Sequence, residues 1–164
     1  MWPMFSSRYR LCDLFDIPIY VSTSFLVLLV LFILDFGSFS YGLSMALVLA
    51  LSVTAHELAH ALTARAFGYR TTDITLSLLG GCASMISLPR KASQEFLTAL
   101  AGPLMSFALA GAAKLLIVFG FHLNSLYLWH VLTYAFWINV MLGGFNLLPG
   151  FPMDGGRIFR SAMR

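Results

Sequence analysis

A short segment from Leu51 to Phe67, LSVTAHELAHALTARAF, places two histidines and a glutamate inside an otherwise apolar run. On an α-helix, residues four apart return to the same face, so His56 and His60 would lie one turn apart and could share one metal ion. Glu57 lies about 100° round the same turn, within reach of a water molecule held at that ion. This H-E-x-x-H pattern is typical of zinc hydrolases, in which the glutamate takes a proton from the water.

The alternative interpretation is that His56 and His60 are hydrogen-bonded core histidines without a metal. An ionisable side chain at bilayer depth costs on the order of 2.5–3.5 kcal/mol on insertion scales. Three such side chains within five residues need an ion or a polar cavity, so the surroundings favour a functional site.

The composition indicates an integral membrane protein. Of the 164 residues, 59% are hydrophobic and 10% are charged, whereas about a quarter of the residues of a soluble domain are charged. We predict one intramembrane domain over residues 1–164, packed helix on helix in the lipid bilayer. The formal charge of +3 does not indicate a nucleic-acid partner.

The predicted fold class is an all-α polytopic membrane protein with about four transmembrane helices. The first apolar run contains no charge and, at about 1.5 Å per residue, reaches roughly 27 Å. We expect this span to remain in the mature protein, with residues 1–16 along the membrane interface. The four predicted spans are residues 17–34, 41–67, 95–119 and 127–148.

The spacing of apolar residues changes between spans two and three, over residues 71–88. Apolar residues there alternate with polar ones, which is the spacing of a strand; they are Ile74, Leu76 and Leu78. Gly80 and Gly81 can form a turn. We therefore predict a small membrane-associated β-hairpin or sheet between spans two and three.

The distribution of positive charge predicts the orientation. In a four-span arrangement only Lys114 lies towards one face, and the other Lys and Arg residues lie towards the opposite face: Arg8, Arg10, Arg65, Arg70, Arg90, Lys91, Arg157, Arg160 and Arg164. The positive-inside rule makes the populated face cytoplasmic. The histidines are then predicted towards the cytoplasmic side of a bacterial or archaeal cell membrane.

The fourth span ends on the same side as the histidines, and an aspartate follows it. Pro149 and Pro152 must halt the helix, leaving Asp154 on glycine-rich backbone, which at membrane depth is tolerated where it lines a cavity. A carboxylate there suits a third zinc ligand that leaves one position for water. The alternative is a loop aspartate that caps Gly155 or pairs with Arg157.

With these motifs the chain resembles the site-2 protease family of intramembrane zinc metalloproteases. The resemblance rests on AHELAHAL, the Gly80–Gly81 pair, AGP at 101–103 and FNLLPGFPMDGGR at 145–157. It implies one zinc ion bound by His56, His60 and Asp154. It also implies Glu57 as general base and acid, Asn146 as an oxyanion-stabilising residue, and a transmembrane-helix protein as the substrate. Ser106 stands where the family commonly has an asparagine.

A helical substrate must be extended before it is cut, because its carbonyl groups are already hydrogen-bonded. We predict that the strand at residues 74–79 holds it by edge pairing. The predicted substrate-binding residues are Ile74, Leu76, Leu78, Gly80 and Gly81.

Two other functions remain open at the level of sequence. Intramembrane histidine and carboxylate groups also mark metal or proton transporters, although we find no internal repeat and the polar residues cluster in one half of the membrane. A catalytically inactive homologue that only binds membrane helices is the other alternative, and the intact Glu57 argues against it.

Overall fold

The computed structural model describes residues 7–35, 37–77, 80–85, 91–119, 125–150 and 153–163. This part of the chain forms five helices and four strands. In chain order they are β1 (Arg8–Leu14), β2 (Ile17–Ser22), α1 (Thr23–Asp35), α2 (Phe39–Ala66), β3 (Thr71–Ser77), β4 (Gly80–Met85), α3 (Ala92–Phe119), α4 (Leu126–Asn146) and α5 (Asp154–Ala162).

Three of the helices are long and apolar enough to cross a membrane: α2, α3 and α4. They coincide with the second, third and fourth predicted spans. The helix α2 has 28 residues, a length of about 42 Å, which exceeds the hydrocarbon thickness of about 30 Å. The C-terminal end of α2 can therefore lie near the membrane surface while the rest of the helix crosses the hydrocarbon layer.

The first predicted span is not confirmed as a transmembrane helix. Residues 17–22 form β2, and α1 has only 13 residues, a length of about 20 Å. The apolar side chains at 17, 19 and 21 alternate towards the core, and this period of two overrides the hydrophobicity that suggested a helix. Within the segment expected along the membrane interface, residues 8–14 form the exposed strand β1.

The four strands form one mixed sheet in the order β1-β2-β3-β4. The strands β1 and β2 are antiparallel and are joined by Phe15 and Asp16, both with positive φ, as in a two-residue type I′ hairpin. The strands β3 and β4 form the predicted hairpin between α2 and α3. The sequence did not reveal that β2 would pair in parallel with β3.

The hydrophobic core lies between the sheet and the helix pair α1–α2. Buried apolar side chains of β2 and β3 pack there with Phe25 of α1 and with Leu49 and Val53 of α2. The helix α4 also contacts α2, where the Asn139 side-chain amide donates to Ser52 Oγ over 2.8 Å. Polar contacts of this kind join helices in a membrane, where apolar burial does not distinguish helix from lipid.

Candidate metal centre

Three buried side chains from two helices converge at the C-terminal half of α2. His56 and His60 of α2 and Asp154 of α5 are 2%, 3% and 8% exposed. Asp154 Oδ2 lies 3.1 Å from His56 Nε2 and 2.9 Å from His60 Nε2, and the two Nε2 atoms are 3.2 Å apart. The structure therefore brings together the three side chains predicted to be ligands, in an arrangement that could hold a metal ion.

The outer nitrogen of each imidazole is held by α3. His60 Nδ1 donates to the carbonyl oxygen of Thr98 over 2.7 Å, and because a carbonyl only accepts, Nδ1 carries the proton. In the neutral imidazole the lone pair of His60 is then on Nε2, the nitrogen that faces the cluster. His56 Nδ1 lies 2.9 Å from Ser106 Oγ. Partners of this kind orient metal-binding histidines in proteins.

The donor set fits a divalent metal ion. With Nδ1 protonated, a neutral His60 presents a lone pair on Nε2 that faces a carboxylate oxygen of Asp154, and a metal ion can take the place of the proton that otherwise joins these two atoms. Two imidazole nitrogens and one carboxylate oxygen are the ligand types of hydrolytic zinc sites, which keep a further position for water. The cluster therefore suits zinc better than Mg²⁺ or Ca²⁺, which prefer oxygen ligands.

Asp154 is ionised at neutral pH. Burial raises the pKa of its carboxyl group, but the hydrogen bonds and charge of the His56 and His60 imidazoles outweigh burial and lower this pKa to about 2. The carboxylate is the form that binds a metal. The predicted alternative pairing coexists with this arrangement, because Asp154 Oδ1 lies 3.8 Å from Arg157 Nη1 while Oδ2 faces the imidazoles.

The AGP segment passes directly against the imidazoles. A Cβ atom built on Gly102 would overlap the Nε2 atoms of both His60 and His56. Gly102 thus lets the backbone of α3 approach the cluster to a distance that no other residue permits. Gly155, next to Asp154, allows a similar close approach, since a Cβ there would overlap the carbonyl oxygens of Leu147 and Leu148.

The two predicted catalytic residues have different surroundings. Glu57 is 8% exposed and lies beside the cluster on α2. Asn146 is half-buried at the end of α4, and its side-chain amide donates to the carbonyl oxygen of Leu142 over 2.8 Å. In this conformation the amide N–H therefore points back along its own helix, and the oxyanion role of Asn146 stays a prediction.

The predicted edge pairing of the substrate at β3 is wrong in this structure. The strand β3 is paired on both sides, with β2 and with β4, so it offers no free edge. Ile74 and Leu76 are 0% and 1% exposed and belong to the hydrophobic core. Leu78 lies outside the described residues, while Gly80 and Gly81 belong to β4 and pair with Ser77 and Leu76.

Sequence reasoning missed several groups that support the site. Thr98 contributes a backbone carbonyl, which every residue type has, so its identity carries no signal. Glu95 and Arg160 form an ion pair between α3 and α5. A signal for Glu95 exists, because Glu95, Gly102 and Ser106 recur at spacings of seven and four residues and therefore share one face of a helix.

Comparison with known proteins gives consistent matches along the chain. The sequence profile of peptidase family M50 matches residues 44–125 and 121–164. A zinc metalloprotease of Methanocaldococcus jannaschii is 38% identical over 159 residues, which are 94% of this chain and 45% of that protein. A relative from Synechocystis sp. is 35% identical over 175 residues, 95% of this chain and 44% of its own length.

A solved structure has the same fold. The site-2 protease from Methanocaldococcus jannaschii superposes with a TM-score of 0.77 at 34% sequence identity, covering 96% of this chain and 72% of the other. This chain spans less than half the length of the curated relatives named above.

Proposed function

The chain belongs to peptidase family M50, and on this premise we propose that it is an intramembrane zinc metalloprotease. It hydrolyses a peptide bond within or near the transmembrane segment of a membrane-bound regulatory or precursor protein. The observation that carries the proposal is the convergence of His56, His60 and Asp154 beside Glu57 on an apolar helix.

In the proposed mechanism His56, His60 and Asp154 hold one zinc ion per chain. Zinc bound there would supply a Lewis acid that polarises the scissile carbonyl and activates a water molecule. Glu57 accepts the proton of the attacking water and later returns a proton to the leaving amine nitrogen. Thr98 and Ser106 keep the imidazoles oriented throughout.

Asn146 completes the proposed catalytic set. Release of its amide from the Leu142 carbonyl frees the N–H engaged there to donate to the oxygen that becomes negative as the peptide carbonyl is attacked. Asn146 is the last residue of α4, and a change of its side-chain rotamer would redirect the amide.

A strand contact for the extended substrate falls on β4 rather than on β3. The strand β4 is an edge strand of the described sheet. Its outer edge, on the side away from β3, can therefore accept a further strand. Gly80 and Gly81 lie on this strand and β4 packs near α2. An extended peptide there presents its backbone close to the helix that carries His56 and His60.

The proposed membrane topology follows from the sheet. The strand β2 precedes α1 and the strand β3 follows α2, and the two pair in parallel. The α1–α2 hairpin therefore begins and ends at one membrane face, and α3 and α4 cross the bilayer after it. The excess of Lys and Arg near this face supports the proposal that it lies, with the metal cluster, on the cytoplasmic side of a bacterial or archaeal cell membrane.

Replacing Asp154 with alanine tests the metal site directly. The parent protein purified in detergent is expected to contain about one zinc per chain, and the variant little or none, because two imidazoles alone leave the ion under-coordinated. Zinc is measured by elemental analysis after chelator-free purification. Asp13→Ala is the matched control, since Asp13 is an exposed carboxylate paired with Arg10 on β1. A folded parent without zinc would instead support a helix-binding scaffold.

Ser106→Ala tests the support of His56. The change leaves His56 Nδ1 without its Ser106 partner, and we expect zinc affinity to fall about 10-fold, the lower end of the effect of such partners. Competition with a chromogenic chelator measures the affinity. Ser52→Ala serves as the control, because it removes a buried hydroxyl on the same helix as His56 that bonds Asn139 instead. Equal affinity in the Ser106 variant and the parent would show that this contact is dispensable.

A further inference from the structure

The carboxylate of Glu95 is buried deep in the protein, on the helix that supports the two imidazoles. Glu95 lies in the first turn of α3 and is 1% exposed. Arg160 of α5, with its side chain about half exposed, donates from Nη2 to Glu95 Oε1. A carboxylate so far from water requires such a partner, and this one lies on the short helix that carries Asp154.

The Glu95–Arg160 ion pair links α5, which carries Asp154, to α3, which contacts the two histidines. The helix α5 is nine residues long, with Asp154 as its first residue and Arg160 six residues further on, about 9 Å along the axis. Close packing of Gly155 against the backbone after α4 constrains the Asp154 end. The ion pair constrains the other end against α3, so together they set the direction of the helix.

The same helix α3 also positions both histidines. Thr98, one turn after Glu95, accepts from His60, and Ser106 contacts His56. A shift of α5 relative to α3 would therefore move the Asp154 carboxylate relative to both imidazoles at once. Metal ligands must keep their distances within about 0.2 Å, so even a small shift between α3 and α5 would disturb the metal site.

We propose that Glu95 and Arg160 are positioning residues, a clamp that holds α5 so that Asp154 meets His56 and His60 in metal-binding geometry. The inference rests on the proposed zinc site. It concerns how tightly and with what geometry the metal is held, so it can be tested without a peptide substrate.

The experiment compares the full chain in detergent with Glu95→Gln and with Arg160→Gln. Each variant is expected to bind zinc about 10- to 100-fold more weakly and to alter the visible spectrum of the Co²⁺-substituted protein, which reports ligand geometry. The double variant should lose no more affinity than the weaker-binding single variant, because both changes break one interaction. Chelator competition gives the dissociation constants.

Two further variants separate positioning from general stability. Arg8→Gln removes the ion pair between Arg8 and Asp73 in the sheet and should leave both the affinity and the Co²⁺ spectrum unchanged. Arg160→Lys keeps the charge but loses the planar guanidinium. Because residue 160 is partly exposed, this variant is expected to fold even if Glu95→Gln does not, with a smaller loss of affinity in the same direction.

The outcomes distinguish this inference from the proposed function. A parent that binds no zinc would overturn the proposed function and the clamp with it. A parent that binds zinc, with Arg160 variants of equal affinity and an unchanged Co²⁺ spectrum, would overturn the clamp alone, whatever their thermal stability.

Discussion

Replacing Glu57 with glutamine is expected to slow peptide hydrolysis by about 10²- to 10⁴-fold, the range contributed by a general base. Glutamine has nearly the same shape but cannot accept the proton of the attacking water. The change leaves His56, His60 and Asp154 in place, so zinc content should stay at the level of the parent. Cleavage of a reconstituted transmembrane substrate and the zinc content of the same preparation are the two measurements.

Glu57→Gln also separates the enzyme from the alternatives considered for the sequence. A metal or proton transporter in proteoliposomes is expected to keep flux in a variant that retains its metal ligands, whereas a protease loses turnover. Glu57→Asp is the control for charge, since it keeps a carboxylate but shortens the side chain by one methylene. Unchanged cleavage by Glu57→Gln would place the general base elsewhere.

Gly102→Ala is expected to abolish zinc binding and, with it, cleavage. The added Cβ would overlap the Nε2 atoms of His60 and His56, the atoms that face the metal, so one imidazole or α3 itself must move. Alanine is favoured over glycine in a helix by about 1 kcal/mol, so the loss cannot be ascribed to a weakened helix. Zinc content and helical circular dichroism, measured together, test this expectation.

Gly111→Ala is the matched control for Gly102→Ala. Gly111 lies on the same helix, but a Cβ built there has no neighbouring atom within 4 Å. The control should keep its zinc and gain slightly in stability from helix propensity. Parent-like zinc affinity in Gly102→Ala would show that the backbone of α3 does not lie directly against the imidazoles.

The prediction of the family from local motifs is confirmed by the profile match and by the fold of the solved relative. Local motifs succeed here because they concern residues a few positions apart. Four-residue spacing places His56 and His60 on one helical face, and alternation places a strand at Ile74 and Leu76. The helices α2, α3 and α4 follow from long apolar runs for the same reason.

The first predicted span shows where this reasoning stops. A charge-free run from residue 17 is as hydrophobic as a transmembrane helix, and only its pairing with β3, more than fifty residues away, makes its first part a strand. The same pairing occupies the edge of β3 that the hairpin with β4 leaves open, so the substrate cannot pair there. Hydrophobicity shows that a segment is buried but does not specify which neighbour buries it.

The sequence by itself determined the chemistry of the site: two imidazoles one turn apart, a glutamate beside them, and an aspartate after the last long helix. Only the tertiary structure decided that Asp154 reaches the imidazoles, that Gly102 passes against them, and that Glu95 and Arg160 join α3 to α5. These contacts link residues far apart along the chain. Their geometry depends on how whole helices pack, which a local pattern does not encode.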